Sequence, residues 1–385
     1  MQSPLASRLQ GFGTTIFAEM TALAVRTGAI NLGQGFPDAD GPPEVVEAAV
    51  AALRAGHNQY PPARGLPALR SAIAAHQRRR YAIELDPERE VLVTVGATEA
   101  VAAALLALCE PGDEVMVLEP FYDSYAAAIA MAGGVRVPVT LRAPCFALDP
   151  AVLEAAVTPR TRLVLVNTPH NPTGRVLARD ELETIARVCR DHDLLALTDE
   201  VYEHLVYDGE HVPLATLPGM AERTLTISSL GKTFSFTGWK IGWACGPAPL
   251  VDAVATAKQF LTFAVGTPLQ HAAVVALEGG DAWASTLAAG LRAKRDRLSG
   301  GLRAAGLEVH DPAGTYFVNA DVSTLGDEDG WAFCRALPER AGVVAIPTAA
   351  FYDDQRAGRT LVRFAFCKQD EVIDEAARRL ARLRT

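Results

Sequence analysis

An α/β fold on a mostly parallel central sheet, with a second and smaller α+β unit, is what this sequence predicts. Three observations predict it. From Glu90 onward, apolar β-branched runs alternate with turns and helical patterns. Strands that are apolar throughout belong to a parallel sheet covered on both faces. Gly96, Asn171, Asp199 and Lys232 all fall at the carboxyl ends of such runs, where open α/β sheets gather their ligands. Beyond residue 275 the pattern changes to one long helix followed by spaced strands and helices, the signature of a separate α+β layer.

Taken in order, residues 1–14 carry little pattern and read as an N-terminal arm. A helix over 15–27 places Phe17, Met20, Leu23 and Ala24 at helical spacing; Phe17 reads as core or as pocket. The run Ile30 to Asp38 holds Gly33 and Gly35, for a close backbone approach or merely a tight turn. Pro42 and Pro43 open a helix over 44–55. A loop over 58–65 leads to a helix over 66–81.

The strand 91–95 ends in the turn Gly96-Ala97-Thr98, before an alanine-rich helix over 99–109. The free amides at that helix start serve an anion site or a plain cap. A strand over 114–118 precedes a helix and then a stretch without clear period, to Pro150. The strand 163–167 is closed by Thr168-Pro-His-Asn-Pro-Thr-Gly174, a turn made rigid by its prolines. A helix over 181–192, a strand over 194–199 and the Lys232 strand over 225–229 follow, and a helix starts at Pro249. A helix over 282–305, strands over 307–310 and 315–320, a further helix, a strand over 361–366 and a closing helix from Asp370 complete the chain. The division expected is an arm 1–14, a small domain from 15–41 and 276–385, and a large cofactor-binding domain 42–275.

Bulk properties narrow the function. A length of 385 residues with 49% hydrophobic and 21% charged content suits an enzyme with a sizeable core. A net charge of -9 opposes nucleic-acid binding, which needs clustered cations. The basic runs 78–80 and 378–384 read as solvated helix faces. Six scattered cysteines without a C-x-x-C pair fit reduced thiols in a cytoplasmic protein and suggest no metal site. Met1 to Pro4 lacks the features of a secretory leader. The best apolar run, 100–109, is too short for a membrane span.

The stretch Ser228 to Trp243 carries the chemistry. Lys232 ends an apolar run, Ser229 stands three residues before it, and Lys240 stands eight after. A buried lysine loses its proton readily and condenses with a carbonyl. Hydroxyls and a second cation beside it suit a phosphate. The combination suggests pyridoxal phosphate (PLP) held as a Schiff base on Lys232. A P-loop reading of Gly231-Lys232-Thr233 fails, because Thr226 stands where that motif needs glycine. By itself Lys232 also reads as a solvated loop lysine.

Together these motifs resemble a known family. Leu32-Gly-Gln-Gly-Phe-Pro-Asp38, Asn58-Gln-Tyr60, His170-Asn-Pro-Thr-Gly174, Asp199-Glu-Val-Tyr202, Thr237-Gly-Trp-Lys-Ile-Gly-Trp243 and Arg363-Phe-Ala-Phe-Cys-Lys368 are similar to those of class I/II aminotransferases of fold type I. The nearest resemblance is to the kynurenine/glutamine/methionine branch, and to actinobacterial N-succinyldiaminopimelate aminotransferases. The resemblance covers nearly the whole chain and implies PLP as cofactor.

It also implies roles. Lys232 would be the Schiff-base lysine and the base that moves the Cα proton. Asp199 would pair with the pyridine nitrogen, keeping the ring an electron sink. Asn171 and Tyr202 would donate to the ring oxygen, and Tyr122 would stack on the ring, with Phe121 and Tyr125 as near alternatives. Ala97, Thr98, Ser229 and Lys240 would hold the phosphate, with Tyr60 reaching in from the partner of a homodimer. Arg363 would clamp the substrate carboxylate, with Gly35, Phe17 and Asn171 beside it. Lys240 stands where much of the family has arginine, and it neutralises phosphate without the planar fork.

Phe260 to Pro268 offers no arginine for a distal carboxylate. That implies uncharged sulfur or aromatic donors, or glutamine. Val265 stands where kynurenine-type enzymes carry an aromatic, which leaves room for the longer N-succinyl-L,L-diaminopimelate. A β-lyase acting on cysteine conjugates would use the same residues, and pyruvate and ammonia released without a 2-oxo acid would identify it. Regulators with an aminotransferase-like domain add an N-terminal DNA-binding module, and the acidic balance weighs against that use.

Overall fold

The computed structural model describes residues 4–384; residues 1–3 of the expected arm, and Thr385, lie outside the described residues. Beyond a two-residue strand β1 (Ile30–Asn31), seven strands build the main sheet: β2 (Val91–Val95), β3 (Glu114–Glu119), β4 (Val135–Thr140), β5 (Thr161–Asn167), β6 (Leu195–Asp199), β7 (Thr224–Ser229) and β8 (Ile241–Cys245). Their order is β2-β8-β7-β6-β5-β3-β4. All neighbours from β4 to β7 run parallel, and β8 runs antiparallel to both β7 and β2.

Side chains alternate between two apolar layers, as a strand's period of two requires. Val115, Val117, Leu163 and Leu165 pack with the helices Gly96–Leu108 and Ala248–Leu261. Met116, Leu118, Val164 and Val166 pack instead with Leu182, Ile185 and Val188 of the helix Arg179–Asp191. Burial on both faces is why these strands read as continuous apolar runs.

The elements that escaped the sequence reading include the strands β4 and β8 and the helices Pro150–Ala155 and Thr267–Gly279. β4 is the sheet edge and is mostly half-exposed, and it contains Pro138. A proline is tolerated there because an edge strand has one unpaired side. Elsewhere the shifts are small. The first helix is Ile16–Thr27 with Thr15 as its cap, and the turn at Gly96 is already the first turn of its helix.

The C-terminal third supplies an antiparallel sheet in the order β12-β13-β10-β9, from β9 (Glu308–His310), β10 (Phe317–Asp321), β12 (Ile346–Pro347) and β13 (Leu361–Ala365). A further short strand, β11 (Val343–Val344), pairs with β1. Met20 of the first helix shares one apolar cluster with Leu291, Leu298, Val318, Phe333 and Ile373.

The segment after β6 is braced from behind. The hydroxyls of Ser228 and Tyr81 donate to the two oxygens of buried Glu203, at 2.5 and 2.6 Å. The Nε2 atoms of His76 and His204 meet at 2.9 Å. Burial opposes ionisation of Glu203, but the two imidazoles and the two hydroxyls outweigh it and hold the carboxyl down at about 2. Burial lowers His204 to about 4. Tyr81→Phe is therefore expected to cost about 1.5–3 kcal/mol, the worth of a hydrogen bond to a charged group. Urea unfolding would read the loss; an unchanged midpoint would count against the brace.

Candidate active site

The carboxyl ends of β5, β6 and β7 open into a cavity of about 310 Å³. Gly35, Phe17, Ala97, Thr98, Tyr122, Asn171, Asp199, Tyr202, Ser229, Lys232, Lys240 and Arg363 all line it. Tyr60 does not: it is 83% exposed and packs edge-on against Phe263, with ring centroids 5.4 Å apart.

Lys232 lies in the single-turn helix Leu230–Thr233 that follows β7. Its Nζ donates to the Tyr316 hydroxyl at 3.0 Å. The side chain keeps partial exposure only because it faces the cavity. Burial lowers the amine to about 8, against the opposing pull of Cys367 and Asp199, so a usable fraction is neutral near physiological pH.

Asp199 is the last residue of β6 and is almost wholly buried. It accepts from the Tyr125 hydroxyl at 2.6 Å and from the Val201 amide at 3.3 Å. Burial raises its pKa against the opposing pull of the Tyr125 hydroxyl, the Val201 amide and Lys232, and a cationic partner in the cavity would favour its ionised form. Tyr202 is buried and its hydroxyl is pushed up by burial; it stays protonated and can donate.

Around Gly96 the cavity forms a cradle for an anion. Ala97 and Thr98 belong to the first turn of a helix, whose amides are free. Lys240 Nζ stands 3.4 Å from Thr98 Oγ1, and Ser229 lies across from them on the cavity wall. Gly96 has φ 69°, and a Cβ on Gly242 would come within 2.5 Å of the Gly96 backbone. Glycine at both positions lets β8 pass directly beneath the helix start.

The opposite wall belongs to Arg363 of β13, buried and central to its sheet. Its Nη1 donates to Asn171 Oδ1 at 2.9 Å and its Nη2 to the Gly33 carbonyl at 3.1 Å. The guanidinium carbon lies 3.9, 4.9 and 5.3 Å from the ring centres of Phe317, Phe351 and Phe17. Burial lowers Arg363 to about 10, which leaves it a cation at neutral pH. Its Nε is buried without a hydrogen-bond partner among the described residues. With Asn171 Oδ1 spent on the arginine, the amide NH₂ of Asn171 remains as a donor.

Several residues in or directly behind the cavity wall were missed or misread in the sequence. Tyr316 and Phe317 read only as part of an apolar strand. Tyr125 was a stacking alternative, yet its hydroxyl serves Asp199. Of the three aromatics considered for stacking, Phe121 is buried in the helix layer, while Tyr122 lines the cavity. Val265 is buried with Leu230 and Trp243 and, like the rest of 260–268, lies outside this chain's cavity.

A reactive amine, a buried carboxylate, an anion cradle and an aromatic wall in one cavity define a PLP enzyme of the α/β type. The model of the family "Aminotransferase class I and II" matches residues 27–380, and the chain belongs to that family. It is 56% identical to the Mycobacterium tuberculosis protein named "Probable N-succinyldiaminopimelate aminotransferase DapC", across 97% of each chain. It is 40% identical to the methionine aminotransferase of Escherichia coli, across 98% of each. The solved structure of N-succinyldiaminopimelate aminotransferase from M. tuberculosis superposes with a TM-score of 0.97, covering 98% of this chain and all of that one. The chain is accordingly a PLP-dependent aminotransferase of fold type I. Among the described residues, no helix is long and apolar enough to cross a membrane.

Proposed function

We propose that the enzyme takes the amino group of an L-amino acid with an uncharged sulfur or aromatic side chain, or of glutamine, and passes it to a 2-oxo acid by a ping-pong mechanism. The observation that carries this reading is the wall around Arg363. The arginine is caged by Phe17, Phe317 and Phe351, and among the described residues no second arginine lines the cavity. Arg363 would take the α-carboxylate through its unpaired Nε, while the Phe17 and Phe317 rings, which line the cavity, offer an apolar surface to the side chain.

When bound, PLP supplies the carbonyl that takes up the donor amine and a ring that withdraws charge from Cα. The remaining work falls to this chain's residues. Lys232 would hold the cofactor and then move the Cα proton. Asp199 would pair with the ring nitrogen, Asn171 and Tyr202 would donate to the ring oxygen, and Tyr122 would cover the ring face. Ala97, Thr98, Ser229 and Lys240 would hold the phosphate. Tyr60 would complete that cradle from the second subunit of a homodimer. Its exposure, together with Phe260 and Leu261 at 82% and 49%, supports an interface there; full activity of a dilute monomer would contradict it. The proposed division keeps 42–275 as the large domain, with 15–41 and 276–385 as the small one. Six unpaired cysteines support a cytoplasmic location.

The 56% identity to the mycobacterial protein favours a second reading, in which N-succinyl-L,L-diaminopimelate is the donor. Bleaching of the lysine-bound cofactor absorbance in single turnovers separates the two. L-methionine, L-phenylalanine, L-kynurenine and L-glutamine are expected to outpace L-glutamate. Faster conversion of the succinyl compound than of all these would replace the first reading with the second.

A further inference from the structure

Tyr316 lies buried behind the cavity wall, against the Lys232 amine, and has no part in the scheme so far. It precedes β10, is 0% exposed, and its hydroxyl donates to the Gly35 carbonyl at 2.5 Å. Because its single proton is spent on Gly35, the oxygen can only accept from Lys232 Nζ, which reaches it at 3.0 Å. The ring is fixed as well, edge-on to Tyr202 with centroids 5.2 Å apart and against Phe317 at 4.8 Å.

Gly35 belongs to this arrangement. A Cβ there would fall 2.4 Å from the Phe317 ring and 2.9 Å from that of Tyr316. Only glycine lets the loop 32–38 come close enough for its carbonyl to take the tyrosine's proton.

Once a donor's amine has displaced Lys232 from the cofactor, the lysine is a free amine. A lysine amine on four methylenes must then stay near Cα with its lone pair available. We propose that Tyr316 is the positioning residue for that interval: its hydroxyl receives one N–H of the released Lys232 and leaves the lone pair free for the Cα proton. The contact ties the poised base to Gly35, on the loop that lines the amino-acid side of the cavity. The groups facing Lys232 are otherwise Tyr202, whose ring centre lies 5.6 Å from Nζ, and Cys367, Asp199, Lys240 and Arg363, and none of them makes a hydrogen bond to Nζ among the described residues.

The inference rests on Lys232 being the cofactor-bearing lysine, and the test separates the two claims. Holoenzyme of Tyr316→Phe, which keeps the ring and removes the hydroxyl, would be compared with wild type in single turnovers using an α-deuterated donor. The variant is expected to form the same lysine-bound absorbance peak and to keep its KM. Its Cα proton removal is expected to slow roughly tenfold, the scale of one lost hydrogen bond, with a larger primary isotope effect. The pH profile of that step should move to lower pH, since the ammonium form loses an acceptor. An intact peak with unchanged rate and isotope effect would overturn the proposal. So would loss of the peak or a raised KM, which would make Tyr316 a packing or binding residue. If wild type itself shows no such peak, the assignment of Lys232 fails first, and this inference with it.

Discussion

Lys232→Ala is expected to lower turnover by roughly 10⁴-fold, the upper end of what a positioned general base contributes. At that size the barrier rises by about 5.5 kcal/mol. The amine follows a strand end, is brought down to about 8 by burial and is held by a hydrogen bond to Tyr316. The variant should still bind PLP through the cradle at Thr98, Ser229 and Lys240, but without the lysine-bound visible peak. Small primary amines in solution should restore part of the rate, more so as their basicity rises, because they replace a proton carrier rather than a packing element. Retention of the peak would place the lysine elsewhere. The same amine sets a pH dependence. Apoenzyme should take up PLP about tenfold faster per pH unit below 8, as ammonium gives way to amine, and then level off. A flat profile would mean that Lys232 is neutral throughout, or not the reacting group.

Asp199→Asn is expected to lower kcat by roughly 10²–10³-fold, the scale of removing one preorganised group from a developing charge. The substitution is isosteric and retains an acceptor for Tyr125, so the fold and cofactor content should survive. What goes is the negative charge. In this buried position the charge is costly, and burial raises the carboxyl's pKa; a cationic ring nitrogen would recover that cost, and asparagine cannot hold such a proton in place. Proton removal from Cα should become rate-limiting, giving a larger isotope effect with α-deuterated donor and little change in KM. An unchanged kcat would remove Asp199 from the chemistry.

Both residues were legible from the chain alone, and so was much of the site around them. Asp199, Asn171, Gly96 and Lys232 each sit where an apolar run stops at a polar turn, and a doubly covered parallel sheet sends such points to one edge. The pattern is local, and burial on both faces imposes it on consecutive residues. Arg363 was reached by resemblance instead, since an arginine inside an apolar strand has no local signature of its purpose. The edge strand β4 was hidden because most of its residues are only half-buried and Pro138 breaks the pattern.

Contacts between distant segments were decided by tertiary packing. Tyr316 lies 84 residues from Lys232 and 281 from Gly35, and in sequence it is one more aromatic before a strand. Tyr125 lies 74 residues from the carboxylate it serves. The cage of Phe17, Phe317 and Phe351 closes on Arg363 only when the first helix and the C-terminal sheet pack together. Hydrophobic periodicity specifies which face of an element is buried, but it is indifferent to which hydroxyl or ring then meets which cation. That choice is made when two layers come within hydrogen-bond distance, and here it supplied the acceptor for the Lys232 amine and the aromatic rings around Arg363.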